Sequence, residues 1–151
     1  MKDEYFDEWN IPIWEGLPLT EIEKSFPDSY KVYLSEPSQL KLPVGDPLHE
    51  VQRRALVGIQ CLQKQYPNAT VLVVTHKVVI GAIVCGLLGI SLTAYRQLSI
   101  DNSSLTIIEL LENPVLQLLN WHPSALRARC CSVSSEHWMG DAIGRGLSSL
   151  K

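Results

Sequence analysis

Histidine is the side chain that most readily gives or takes a proton near neutrality. Of the four histidines in this chain, His76 has the setting that invites chemistry. It ends the run Thr70-Val71-Leu72-Val73-Val74-Thr75 and is followed by Lys77-Val78-Val79-Ile80-Gly81, where an apolar helical pattern begins. An uncharged run rich in β-branched residues predicts a strand buried on both faces, as in a parallel α/β sheet. In such sheets ligands bind outside the carboxyl ends of the strands. The first N–H groups of the following helix are unpaired and favour an anion. There His76 can be a proton donor, a phosphate contact or only a cap. Lys77 can contact phosphate from the helix start or point into solvent. No Gly-rich loop follows the run, which argues against an unrelated nucleotide-binding module.

The elements around this run follow from periodicity and punctuation. Glu8 to Gly16 reads as a loop, broken by Pro12 and Gly16 and pinned to a core by Trp9 and Trp14. Thr20-Glu21-Ile22-Glu23 has the pattern of a capping box that opens a short helix stopped by Pro27. Asp28 is placed to cap a second short helix through Tyr30 and Tyr33, ending before Pro37. Asp46-Pro47 starts a long helix to Tyr66, with Leu48, Val51, Ala55, Ile59 and Leu62 on one apolar stripe. Arg53 and Arg54 fall on its polar side and read as a solvated face. The helix after His76 turns Val79, Ile80, Ile83, Val84 and Leu87 inward and closes at Gly89. Leu92 to Leu98 reads as a further short helix. Ser104 to Leu111 and Val115 to Asn120 predict an antiparallel hairpin across Glu112-Asn113-Pro114. The segment from Arg127 to Lys151 shows no sustained period and reads as a poorly ordered tail, with a short helix around Met139 to Leu147 possible in outline.

Composition bounds the function. The 151 residues suit one domain, and 46% hydrophobic residues supply a packed core. The formal charge of -3, with scattered Lys and Arg, argues against a nucleic-acid partner. The apolar stretch Val78 to Ile90 is too short to span a membrane. Met1-Lys2-Asp3-Glu4 lacks the apolar core of a signal peptide. Cys61 and Cys85 read as buried free thiols, and Cys130-Cys131 has no metal-ligand spacing. A cytoplasmic setting without metal or cofactor is therefore expected.

Three stretches in order resemble the histidine phosphatase superfamily, also called phosphoglycerate mutase-like. Glu8 stands six residues before Trp14 of a Trp-Glu-Gly triplet. Val71 to His76 is similar to the family strand that ends in Ser-His-Gly. Asp101-Asn102-Ser103-Ser104-Leu105 is similar to the Asn-containing turn before the next strand. The resemblance covers about residues 8 to 121. It implies a three-layer αβα fold, N-terminally incomplete, with a partial phosphoglycerate mutase-like domain over 1–126 and the tail over 127–151.

The resemblance also implies a chemistry. The family passes a phosphoryl group from a small phosphorylated metabolite to a nucleophilic His of an Arg-His-Gly motif, then to water or a second hydroxyl. A carboxylate protonates the leaving oxygen, and a second His with Arg residues holds the phosphoryl oxygens. The matching positions are Glu8 for the acid and His76 for the second His. Asn102 and Lys77 are candidate substrate contacts, and Asn102 is equally read as a turn residue. Arg-His-Gly occurs nowhere in the chain, and Lys77 stands where the family has Gly. The expectation is thus a family member that is inactive as a truncated chain. The alternative is a non-catalytic remnant or interaction module that retains the second half of the fold. If the nucleophile strand is missing, Val71 to Val74 should keep a bare edge open to self-association.

Overall fold

The computed structural model describes residues 3–122. Helix α1 runs Leu19–Ser25, α2 Pro27–Ser35, α3 Leu48–Gln65 and α4 Lys77–Leu87. Strands β1, Leu105–Glu109, and β2, Val115–Trp121, form an antiparallel hairpin. Short 3-10 turns cover Glu4–Phe6, Pro12–Trp14, Pro37–Gln39 and Leu92–Gln97. The expected tail from Arg127 and its helix around Met139 to Leu147 lie outside the described residues.

The long helices form where the apolar stripes lie. Leu48, Val51 and Ala55 of α3 are fully buried, as are Val79, Ala82 and Val84 of α4. The two helices pack side by side, tied by a hydrogen bond from the Gln52 amide to the Ala82 carbonyl at 2.9 Å. Helix α4 closes as expected: Gly89 takes φ +66°, and the Ile90 N–H returns to the Cys85 carbonyl at 2.9 Å. Trp9, Trp14, Ile22 and Tyr33 join the same core. Cys85 is buried, but Cys61 is exposed, against expectation, because it falls on the outer side of α3.

The helix starts differ from the capping patterns. Helix α1 begins at Leu19 with Pro18 at the N-cap and no side-chain cap. Thr20 is then already helical, so its hydroxyl cannot close the capping box. Helix α2 begins at Pro27, one residue before Asp28. Helix α3 takes Pro47 as its N-cap instead of Asp46. In each case a proline near the start sets the backbone angle, and the polar residue expected to cap the helix is not at the N-cap.

The larger correction concerns the run before His76. Thr70 to Thr75 carries no strand assignment, and among the described residues no backbone hydrogen bond joins it to another segment. Leu72 is 77% and Val74 88% exposed, so the run is not buried on both faces. Its composition suits a strand, but a strand also needs a neighbour to accept its N–H groups. The only sheet among the described residues is the hairpin β1–β2, and the run does not pair with it.

Candidate active site

Glu8 sits in the segment that precedes the Pro12–Trp14 turn, and this segment is bound along its backbone to α3. The Arg54 guanidinium donates through Nη1 to the carbonyls of Glu4 and Tyr5, at 3.1 and 2.9 Å. Through Nη2 it donates to the carbonyls of Asp7 and Glu8, the latter at 2.9 Å. Arg54 is therefore not part of a solvated face, as its helical position suggested; Arg53, paired only with Glu50 one turn away, is. Trp9 completes the fixture. Its ring is buried, and its Nε1 donates to the Asp46 carbonyl at 2.7 Å.

His76 is the N-cap residue of α4, with its own backbone extended at φ -106° and ψ 155°. Its carbonyl accepts from the Ile80 N–H at 2.9 Å. The neighbouring Thr75 hydroxyl donates to the Phe6 carbonyl at 2.6 Å, which draws the α4 entrance against the N-terminal segment. The result is that Glu8 and His76 meet. Glu8 Oε2 lies 3.4 Å from His76 Nδ1, while Glu8 Oε1 accepts from the Trp9 N–H at 2.8 Å. The side chains are 35% and 51% exposed respectively, so a small molecule can reach both.

The other candidates are placed as follows. Lys77 is the exposed first residue of α4, beside His76. Asn102 is exposed in the turn before β1. That turn is closed by the Ser104 hydroxyl on the Asp101 carbonyl at 2.7 Å, and Asn120 binds Asp101 across the hairpin base. Among the described residues no group of three His, Cys, Asp or Glu side chains gathers in a way that could hold a metal ion. No helix there is long and apolar enough to cross a membrane.

Sequence reasoning missed a cluster behind Glu8. Tyr33 of α2 is buried, stacked on Trp9 at 5.8 Å between ring centres and met edge-on by Trp14 at 5.3 Å. The Arg96 guanidinium lies 4.6 Å from the centre of the Tyr33 ring, and its Nη1 donates to the Tyr33 carbonyl at 2.9 Å. Burial pushes the Tyr33 and Tyr95 hydroxyls above the ordinary phenol value. Arg96 opposes that rise at both, and the Glu8 carboxylate adds to it at both. Nothing local in the sequence joins Tyr33 to Arg96, and the aromatic richness of Tyr30 to Tyr33 is the one signal that pointed there.

The profile of the Histidine phosphatase superfamily (branch 1) matches residues 1–122. Phosphoserine phosphatase 1 of Hydrogenobacter thermophilus is 28% identical over 120 residues, covering 78% of this chain and 57% of that protein. YhfR of Bacillus stearothermophilus superposes with a TM-score of 0.76 at 25% identity, covering 81% of this chain and 61% of that one. A phosphoserine phosphatase mutant of Entamoeba histolytica, solved with phosphoserine, gives a TM-score of 0.68 at 25% identity, covering 78% and 60%. The superpositions bear out the expected phosphoglycerate mutase-like α/β fold. The chain spans about three fifths of the length of these relatives.

Proposed function

The chain belongs to the histidine phosphatase superfamily, and from that premise we propose that its site handles the phosphoryl group of a small phosphorylated metabolite. The observation that carries this reading is the 3.4 Å approach of Glu8 Oε2 to His76 Nδ1 at the start of α4. Phosphoryl transfer needs hydrogen-bond donors at the phosphoryl oxygens and a proton for the departing oxygen. His76 and the open N–H groups of the first α4 turn supply donors, and Lys77 adds a positive charge beside them. Glu8 in its protonated form supplies the proton. In the family's reaction the electron pair of the broken P–O bond stays on the leaving oxygen, which takes the acid's proton, while phosphorus passes to a nucleophile; Glu8 is the residue we match to that acid.

In the family that nucleophile is the His of Arg-His-Gly, and the tripeptide is absent from these 151 residues. We therefore assign to this chain the acid and the phosphoryl-holding side of the site, without turnover of its own. Phosphoserine is the first compound to test, since two of the similar proteins carry its name. Calorimetric titration should show binding of inorganic phosphate that His76→Ala removes, with phosphoserine hydrolysed no faster than in buffer. Phosphate binding indifferent to His76→Ala would overturn the site. Hydrolysis abolished by that substitution would overturn the assignment of inactivity.

One observation favours a second reading, an interaction module that keeps part of the fold. The unpaired run Val71 to Val74 borders a groove of about 500 Å³ lined also by Phe6, Leu62 and Tyr66. Bare strand-forming backbone beside apolar side chains is a surface on which another chain can pair.

A further inference from the structure

The Thr75 hydroxyl ties the His76 segment to the Phe6 carbonyl of the Glu8 segment at 2.6 Å, and the spacing of Glu8 and His76 is also set from behind. Two supports meet at one short turn. The Glu8 wall rests on Trp9, whose N–H holds Glu8 Oε1 at 2.8 Å and whose ring stacks on Tyr33. Tyr33 in turn is gripped by Arg96, once through its carbonyl at 2.9 Å and once across its ring face at 4.6 Å. The His76 wall is the first turns of α4. There Gly81 lies so close to Tyr95 that a Cβ on it would stand 3.3 Å from the Tyr95 Cβ. Tyr95 and Arg96 are consecutive residues of the Leu92–Gln97 turn. The same turn therefore touches both walls, through Tyr95 on one side and Arg96 on the other. Glu8 and Arg96 act in opposite senses on both phenol hydroxyls, Glu8 raising and Arg96 lowering them.

We propose that Arg96 is a positioning residue that holds the Glu8 carboxylate in register with the His76 ring, acting through Tyr33 and Trp9. The inference rests on the reading of Glu8 and His76 as the working pair, but its test reads their contact and not their chemistry. An imidazole whose Nδ1 faces a carboxylate keeps its proton on Nδ1, whereas a free neutral imidazole prefers the Nε2 form. The experiment uses the full chain with 15N-labelled histidine. Imidazole 1H–15N correlations are recorded about two pH units above the ordinary histidine value, and His76 is assigned by loss of its signals in His76→Gln. The wild type should show His76 mainly protonated on Nδ1. Arg96→Met should invert that preference, as Glu8→Ala does, with the cooperative unfolding transition retained. Arg96→Lys, which keeps a donor and a charge, should restore most of it.

A folded Arg96→Met protein with the wild-type His76 spectrum would overturn the proposal. If Arg96→Met does not fold, Arg96→Gln is read in its place, since it keeps a donor for the Tyr33 carbonyl and loses the charged ring contact. Failure of both to fold would make Arg96 a residue of the fold at large and also overturn the proposal. A chain that binds no phosphate yet shows the inversion would refute the functional reading and leave the positioning role standing.

Discussion

Adjacent arginines on α3 offer the sharpest test of how the site is held. Arg54 donates to four backbone carbonyls of the segment Glu4 to Glu8, whereas Arg53 meets only Glu50, at 2.7 Å. The informative substitution is Arg54→Met, which keeps the stem length and removes every donor. A hydrogen bond from a charged group contributes about 1.5–3 kcal/mol, and an acceptor left without a partner costs its desolvation. The four bonds share one guanidinium, and water can replace those at the outer edge, so the sum falls well below four times that figure. A loss of about 2–4 kcal/mol is expected, a large share of the roughly 5–15 kcal/mol that holds a domain folded. With a urea slope of about 2 kcal/mol per molar, the midpoint should fall by about 1–2 M. Arg53→Met is the control, and an exposed pair one turn apart should cost at most about 0.5 kcal/mol. Urea unfolding followed by tryptophan fluorescence suits the assay, because Trp9 and Trp14 lie in the affected region. Equal midpoints for the two variants, within about 0.5 kcal/mol, would refute the reasoning.

Three further outcomes follow from named contacts. A Cβ on Gly58 would stand 2.6 Å from the Tyr5 Cβ and 2.7 Å from Phe6 Cζ, so Gly58→Ala should push the Glu4–Phe6 turn off α3 and cost about 1–3 kcal/mol in chemical unfolding. Thr75→Val removes the hydroxyl that holds the Phe6 carbonyl at 2.6 Å; it should cost about 1–2 kcal/mol and weaken the His76 response to phosphate, and an unchanged titration would count against the contact. The exposed run Val71 to Val74 should make the chain self-associate as concentration rises; Leu72→Lys with Val74→Lys should return it to monomer mass by light scattering, with stability changed by less than about 0.5 kcal/mol. Monomeric wild type at every concentration would dismiss that edge as an association surface.

What the sequence makes legible here is decided by how far apart the partners of an interaction lie. Helix α3 and helix α4 can be read directly, because their stripes are built from residues three and four apart. The hairpin can be read because its strands are separated by a short turn. The run Thr70 to Thr75 shows where this stops working. Its residues favour a strand, but pairing is a property of two segments, and no pattern within one of them says whether the other is present. Arg53 and Arg54 make the same point on a single helix. Both lie on its polar side, yet only one is covered, because the segment that lies over Arg54 is 46 to 50 residues away in the chain. Glu8 and His76 could be joined beforehand only through the order of motifs in a family, never through local spacing. The supports behind them were out of reach even to that, since the contact of Arg96 with Tyr33 spans 63 residues and belongs to no quoted motif. A family pattern thus singles out candidate groups for chemistry, where the reaction restricts the residue type. The groups that hold them at the right distance are selected by shape and by backbone carbonyls, which many residue types can satisfy, and so only the folded chain reveals them.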